Sequence, residues 1–243
     1  MSDVTQTTRY QRCQALFDRA YPAFRNAGEQ YADLVAARVT PQTRVLDLGC
    51  GRGSLAADAL RRAGTIVGVD LSLPDLRENT LVTAPVLATG EALPFADATF
   101  DLVVSQWAVE HFRDPAPVFR ELARVLRPGG EAVLFTTNAH NYVPALSRLV
   151  PEGLQETLLE RLLRRPRRES FPTYFRANTA RALTRLASVA GLTLESCTYI
   201  GNPFYCAFSP LAFRLALLYE RFTDAPSRQK YKLYLLTVLS KAA

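Results

Sequence analysis

Along the first half of the chain, apolar residues alternate between two rhythms. From about Gln11 to Val39 they follow a helical period, with Tyr31, Leu34, Val35 and Val39 recurring among polar residues. Pro41 stops that pattern. "RVLDL" (Arg44 to Leu48) is a short apolar run bounded by glycine, which predicts a buried parallel strand. Ser54 to Ala63 returns to the helical rhythm, with Ser54 as a candidate N-cap. Strands are predicted at Thr65 to Ser72, Ala84 to Gly90 and Thr99 to Gln106. Pro115 to Gly130 reads as a helix with Val118, Leu122, Val125 and Leu126 as its stripe, closed by Pro128-Gly129-Gly130. Glu131 to Asn138 is a fifth strand. This alternation predicts an α/β fold with a parallel sheet and helices on both faces. Ligands of such sheets sit beyond the carboxyl ends of the strands, at the topological switch point.

The stretch "VLDLGCGRGSL" lies at the first of those ends. Gly49, Gly51 and Gly53 follow Asp47 at alternate positions. Missing side chains let the backbone turn tightly and approach a ligand. Asp70 ends the next strand, where a carboxylate can accept from both hydroxyls of a ribose. To this point NAD and S-adenosylmethionine fit about equally. The dinucleotide pattern G-x-G-x-x-G would need its third glycine at Ser54. Asp47 suits a ligand carrying an ammonium group and sits badly beside a pyrophosphate. Both details favour S-adenosylmethionine.

Composition narrows the class. The chain has 243 residues, 48% hydrophobic and 21% charged, the profile of a soluble globular protein of one domain with additions, or at most two small ones. No run approaches the roughly 20 apolar residues that span a bilayer, and "MSDVTQTTRYQRCQ" lacks the apolar core of a secretory signal. The expected location is the cytoplasm. Cys13, Cys50, Cys197 and Cys206 form no C-x-x-C pair and no metal-ligand spacing, so reduced thiols and no metal are expected. Net charge is +6, concentrated in "RLLRRPRR" (Arg161 to Arg168). Such a run is either a solvated face or a contact for a phosphate-bearing, acidic or membrane-surface partner. No nucleic-acid-binding module accompanies it.

"VLDLGCGRGSL", "VGVDLS", "GEALPFADATFDLVVSQWAVEHFRDP" and "RVLRPGGEAVLFTTN" occur in order between Thr43 and Asn138. Together they resemble class I S-adenosylmethionine-dependent methyltransferases. The nearest group includes ubiquinone- and menaquinone-biosynthesis enzymes and many natural-product and sugar O-methyltransferases. The resemblance implies a Rossmann-like seven-stranded, mostly parallel sheet with an antiparallel last strand. Leu192 to Ile200 then fits strand six and Gln229 to Lys241 strand seven. Between them Ser209 to Phe222 reads as a helix, with Ser209 as N-cap and Leu211, Leu215, Leu218 and Phe222 as its apolar face. The chain is expected to be a single methyltransferase domain, 1–243, with N-terminal helices over 1–40 and a lid-like helical insert over 138–178. In the insert Leu154, Leu158, Leu159, Leu162 and Leu163 form a stripe flanked by arginines, and Thr179 caps a helix over Ala180 to Ala190.

Carried over by resemblance, Asp47 and the turn of Gly49, Cys50 and Gly51 meet the methionine moiety. Asp70 holds the ribose diol, and Leu71 flanks the adenine. The family commonly has Asp or Asn four positions before the leucine of "LPF", near the adenine amine. Here that position is Thr89, followed by Gly90 and Glu91, a departure from the pattern. The Thr89 hydroxyl, Glu91 or a backbone amide is left to substitute. Ser105 and Gln106 end strand four beside the reactive methyl.

The implied reaction moves a methyl group from S-adenosylmethionine to a small-molecule acceptor, leaving S-adenosylhomocysteine. The expected acceptor atom is a hydroxyl of a sugar, polyketide or quinone-like biosynthetic intermediate, of acidic or amphipathic character. A hydroxyl must lose its proton, and histidine is the base best tuned to neutral pH. The two histidines, His111 and His140, follow strands four and five and are the candidate bases. Tyr21, Trp107, His140, Tyr142, Tyr174 and Arg176 are candidates to line the acceptor pocket. "SQWAVEH" stands where amino-methylating nucleic-acid enzymes usually carry Asp/Asn/Ser-Pro-Pro-aromatic, which argues against a nucleic-acid acceptor. The rival readings are an RNA or protein methyltransferase using the basic insert, and a noncatalytic S-adenosylmethionine-binding protein.

Overall fold

The computed structural model describes residues 2–147 and 171–243. The leucine stripe from Leu154 to Leu163 and the arginine run from Arg161 to Arg168 fall outside the described residues. Two compact units emerge: Met1–Asn26, His140–Ser170 and Tyr199–Leu233 form one; Ala27–Ala139, Phe171–Thr198 and Tyr234–Ala243 form the other.

The second unit is built on a sheet of seven strands. They are β1 (Arg44–Leu48), β2 (Thr65–Asp70), β3 (Ala84–Leu87), β4 (Phe100–Gln106), β5 (Leu126–Thr137), β6 (Leu192–Ile200) and β7 (Tyr234–Lys241). Their order is β3-β2-β1-β4-β5-β7-β6, parallel from β3 to β5, with β7 antiparallel to β5. This is the expected Rossmann-like sheet. The order reverses between β1 and β4, so the ligand crevice opens at the end of "RVLDL". Val45, Leu46, Val103, Val104, Ala132 and Val133 are wholly buried, as strands covered on both faces require.

Helices in this unit are α2 (Ala27–Ala36), α3 (Ala57–Leu60), α4 (Leu73–Glu78), α5 (Pro115–Val125) and α7 (Ala180–Val189). The other unit holds α1 (Ser2–Ala20), α6 (Tyr142–Ser147) and α8 (Pro210–Thr223). The expected caps are made: Thr179 Oγ1 accepts from Ala182 N on α7, and Ser209 Oγ from Ala212 N on α8.

Four boundaries differ from the sequence reading. The helical stretch from Gln11 to Val39 is broken between α1 and α2, because Pro22 disfavours helical backbone at Tyr21. The helix expected from Ser54 starts only at Ala57. Gly53 stands at φ +155°, the Leu55 amide donates to Gln106 Oε1 at 2.8 Å, and Ser54 Oγ accepts from the nearby Ala56 N instead of capping. The helix expected to reach Gly130 ends at Val125. Leu126 is already extended and pairs with Phe100, and the Pro128-Gly129-Gly130 turn is absorbed where the β4–β5 register shifts. Strand seven starts at Tyr234, after a 3-10 turn over Pro226–Tyr231.

The largest correction concerns α8. Leu211, Leu215, Leu218 and Phe222 are exposed, and Phe213, Ala216, Glu220 and Thr223 are buried. Within its unit the buried side is set by an aromatic cluster and an ion pair. Phe17 packs on Tyr21, Phe24 and Phe204, and Phe204 on Phe213, at centroid separations of 4.8 to 5.3 Å. Glu220 accepts from the Asn202 amide at 3.1 Å and pairs with Lys232 at 3.4 Å. No helix among the described residues is long and apolar enough to cross a membrane.

Gly68 in β2 fixes how closely the ligand turn packs on its neighbour. A Cβ there would lie 2.4 Å from Val82 Cγ1 and 2.8 Å from Cys50 Sγ. Gly68→Ala is expected to lower the unfolding free energy by about 1–3 kcal/mol through overpacking, read from urea denaturation. An unchanged midpoint would show that β2 gives way freely.

Candidate active site

The turn after β1 is held from three sides. Gly49 N and Cys50 N both donate to the Val69 carbonyl of β2, at 2.8 and 3.1 Å. Asp70 Oδ2 accepts from Gly51 N at 2.8 Å, and Asp70 Oδ1 from Ser72 N at 2.8 Å. Asn79 donates through Nδ2 to the carbonyls of Cys50 and Gly51, at 3.2 and 2.9 Å, while its Oδ1 accepts from Leu81 N and Val82 N. Gly49 has φ +73° and its missing Cβ would lie 2.3 Å from Ala108 Cβ, so only glycine fits against the loop after β4. Gly51 and Gly53 are also left-handed, with no atom within 4 Å of where a Cβ would be. The turn is rigid on its protein side and open on the other.

Asp47 lies beneath this turn, 2% exposed, with Oδ2 lacking any hydrogen-bond partner. Burial, and secondarily the charge of Asp70, raise its pKa to about 7. A buried carboxylate with an orphaned oxygen asks for a cation. Asp70 keeps one backbone donor on each oxygen and is half-buried, leaving acceptor capacity for a diol. Leu71 beside it is exposed. Asp70 pairs in register with Leu87 at the end of β3, which brings Thr89 and Gly90 to the same edge. Thr89 Oγ1 accepts from the Glu91 amide at 3.3 Å, Glu91 is exposed, and Gly90 packs towards Leu48 and Val118.

At the end of β4, Ser105 is wholly buried and its hydroxyl donates to the Leu48 carbonyl at 2.9 Å, tying β4 to β1. Gln106 restrains the glycine loop through the Leu55 amide. Trp107 takes a left-handed φ of +53°, with its amide donating to Phe135 O and its ring 5.5 Å from the Phe135 ring. That backbone strain sits at the mouth of the crevice.

His111 follows on a 3-10 turn over Val109–His111. Its Nδ1 lies 3.0 Å from the Pro172 carbonyl and its ring 6.1 Å from Phe171. A carbonyl only accepts, so Nδ1 carries the proton and Nε2 of the neutral ring presents its lone pair. Glu110 is buried, accepts from Thr136 Oγ1 at 2.5 Å, and has its pKa raised by burial. Its carbonyl accepts from Tyr174 N and Phe175 N. The segment bearing Tyr174 and Arg176 is therefore tied to the His111 turn, with both side chains exposed.

Three candidates lie in the other unit. Tyr21 donates to Asp224 Oδ2 at 2.8 Å. The Tyr142 hydroxyl meets Cys206 Sγ at 3.4 Å, and its ring packs edge-on against Tyr219. His140 is exposed.

A family profile described as "Methyltransferase domain" matches residues 46–134. The chain is 41% identical over 140 residues to a malonyl-(acyl-carrier protein) O-methyltransferase of Pseudescherichia vulneris, covering 54% of this chain and 55% of that one. It is 35% identical over 121 residues to a demethylmenaquinone methyltransferase of Corynebacterium kroppenstedtii, covering 49% and 52%. The chain thus spans about half the length of the curated relatives it matches. The crystal structure of geranyl diphosphate C-methyltransferase from Streptomyces coelicolor A3(2), with Mg2+, geranyl diphosphate and S-adenosylhomocysteine, superposes with a TM-score of 0.58 at 17% identity. That likeness covers 88% of this chain and 77% of that one, and it is one of fold.

Residues 46–134 thus match the methyltransferase domain family, and the motifs they carry are those of its S-adenosylmethionine-dependent class. The residues present fit that cofactor on the geometry alone. Asp47 offers an unpartnered buried charge to a cationic ligand, the turn leaves room above Gly51 and Gly53, and Asp70 stands one strand away. Sequence reasoning missed two parts of the candidate site. Asn79 shapes the turn by side-chain contacts to backbone, which leave no periodic trace. Tyr31 was visible as a helical apolar position, but its hydroxyl is buried near Asp47, whose field reinforces the effect of burial in keeping it protonated.

In the fold the Asp47 proton is held up to about pH 7, against 3.8 for a free carboxyl. The folded state therefore binds the extra proton, and the Asp47 contribution to stability falls as pH rises across that window. Asp47→Asn is expected to remove this part of the decline, so that the variant gains on the wild type between about pH 4 and pH 7 in thermal melts. S-adenosylhomocysteine affinity, measured by calorimetry, should tighten through about pH 7 in the wild type and stay flat and weak in the variant. An identical pH profile in both would dissociate Asp47 from the cofactor's cation.

Proposed function

We propose that this chain transfers a methyl group from S-adenosylmethionine to a hydroxyl of a small biosynthetic intermediate of sugar, polyketide or quinone type, in the cytoplasm. The observation that carries the reading is the orphaned Asp47 carboxylate under an open glycine turn, one strand from Asp70. The cofactor supplies a methyl on a sulfonium, which an oxygen nucleophile takes by in-line displacement. Asp47 and the Gly49–Gly51 backbone orient the methionyl end, and Asp70 the ribose. Leu71, Thr89, Gly90 and Glu91 surround the adenine edge. Two relatives are named for O-methylation of an acyl-carrier-protein substrate and for methylation of demethylmenaquinone, which supports a biosynthetic acceptor. The four cysteines form no disulfide, in keeping with a reducing compartment.

Within the sheet-bearing unit, His111 is the group suited to take the acceptor proton. Its Nδ1 anchor on Pro172 fixes the ring and leaves Nε2 as the base. Trp107, Tyr174 and Arg176 offer exposed aromatic and cationic surface for an acceptor beside it. Alignment does most of the work in such a displacement, worth roughly 7–11 kcal/mol. His140, Tyr21 and Tyr142 belong to the other unit and take no part in this base assignment.

The test incubates the full chain with methyl-deuterated S-adenosylmethionine and a panel of hydroquinones, hydroxylated polyketides, sugars and acyl thioesters, and reads labelled product by mass. Transfer to one hydroxyl class is the expected result. Label appearing on RNA or protein alone, or cofactor binding without turnover on any acceptor, would replace the reading. His111→Gln should lower kcat by about 10²–10⁴ while leaving S-adenosylhomocysteine affinity unchanged. Retained kcat with a hydroxyl acceptor would remove His111 as the base.

A further inference from the structure

Leu211, Leu215, Leu218 and Phe222 of α8 are 68%, 59%, 59% and 51% exposed. At about 100° per residue they fall within roughly 60° of arc, one continuous apolar ridge along a 14-residue helix. Single exposed leucines need no explanation, but an ordered row of four does. The exposed residues flanking the ridge are basic. Arg214 and Arg221 lie along one side of it, and the half-buried Arg228 places its guanidinium 4.2 Å over the Phe222 ring. Glu220, the one acid in α8, is buried on the opposite side against Lys232. The nearby Asp224 is paired with the same lysine at 2.8 Å. The outward face of α8 therefore combines apolar side chains and positive charge with no exposed acid of its own.

We propose that this face docks the protein onto an anionic membrane surface, with α8 lying in the interface plane. The ridge supplies side chains for the acyl boundary. Arg214, Arg221 and Arg228 have long stems that keep their charge at the headgroup level while the leucines submerge. Leu215 also walls a cavity of about 280 Å³ with Tyr142, Cys206, Ala212, Ala216 and Tyr219, so the apolar surface continues inward beside the ridge. A second protein copy would satisfy the leucines equally, but it would offer the arginines no acidic partner, because this face carries no exposed acid. Charge complementarity selects the anionic bilayer. The docking stands apart from methyl transfer and does not rest on it.

The test is sedimentation of the full chain with extruded vesicles of phosphatidylcholine alone or with 30 mol% phosphatidylglycerol. Binding is expected to the anionic vesicles, falling several-fold in 0.5 M salt. Leu215→Glu/Leu218→Glu should reduce that binding at least tenfold, and Arg214→Glu/Arg221→Glu should abolish the preference for anionic lipid. S-adenosylhomocysteine binding and the melting temperature serve as folding controls, and Leu218→Ser replaces the double variant if that one fails to fold. No sedimentation with either vesicle, or binding unchanged in the leucine variants, overturns the proposal. So does a dimer in light scattering that Leu215→Glu/Leu218→Glu splits, because the ridge is then a subunit interface.

Discussion

One carbonyl governs the geometry of the site. Val69 O receives the amides of both Gly49 and Cys50, and this bifurcated acceptance bends the chain as it leaves β1. A side chain on residue 49 would strike Ala108, so the bend requires glycine as well as the acceptor. Asp70, the next residue after Val69, then reaches the Gly51 amide. Two consecutive residues of β2 thus set the shape of the turn and place a carboxylate beside it. A shift of β2 against β1 would move both together, so the register of that pair defines the cofactor site.

Low polarity beneath the turn has a stability cost and a functional use. Asp47 is desolvated with one oxygen unsatisfied, the sort of group a stable core excludes. The surrounding strands are dense enough to hold it there. A cationic group in the proposed cofactor position would offset that cost. Ser105 and Gln106 perform the complementary task from β4, fixing Leu48 and Leu55 on either side of the glycines.

The sheet was legible because parallel strands buried on both faces appear as unbroken apolar runs, and because glycines at alternate positions have few other uses. The ends of the elements were less so. Val125 ends α5 early since Leu126 gains a strand partner in Phe100, a long-range event that no local pattern announces. The facing of α8 was misread for a different reason. Its leucines have the spacing of a core stripe, and amphipathic periodicity shows that a helix has two faces without showing which one is packed. The buried side is chosen by Phe213 in the aromatic cluster and by Glu220, whose partner Lys232 is distant in sequence. Asn79 and the Nδ1 anchor of His111 were beyond sequence reasoning, since each depends on backbone carbonyls brought near by folding.

Cys50 sits in the middle of the cofactor turn, where a thiol would ordinarily be a weak point. Its sulfur is turned inward over Gly68, and burial holds the proton on it. The thiolate is the species that oxidants and alkylating agents attack. Burial thus keeps the sulfur in this turn in the unreactive thiol form. The missing side chain of Gly68 is what leaves room for that buried sulfur.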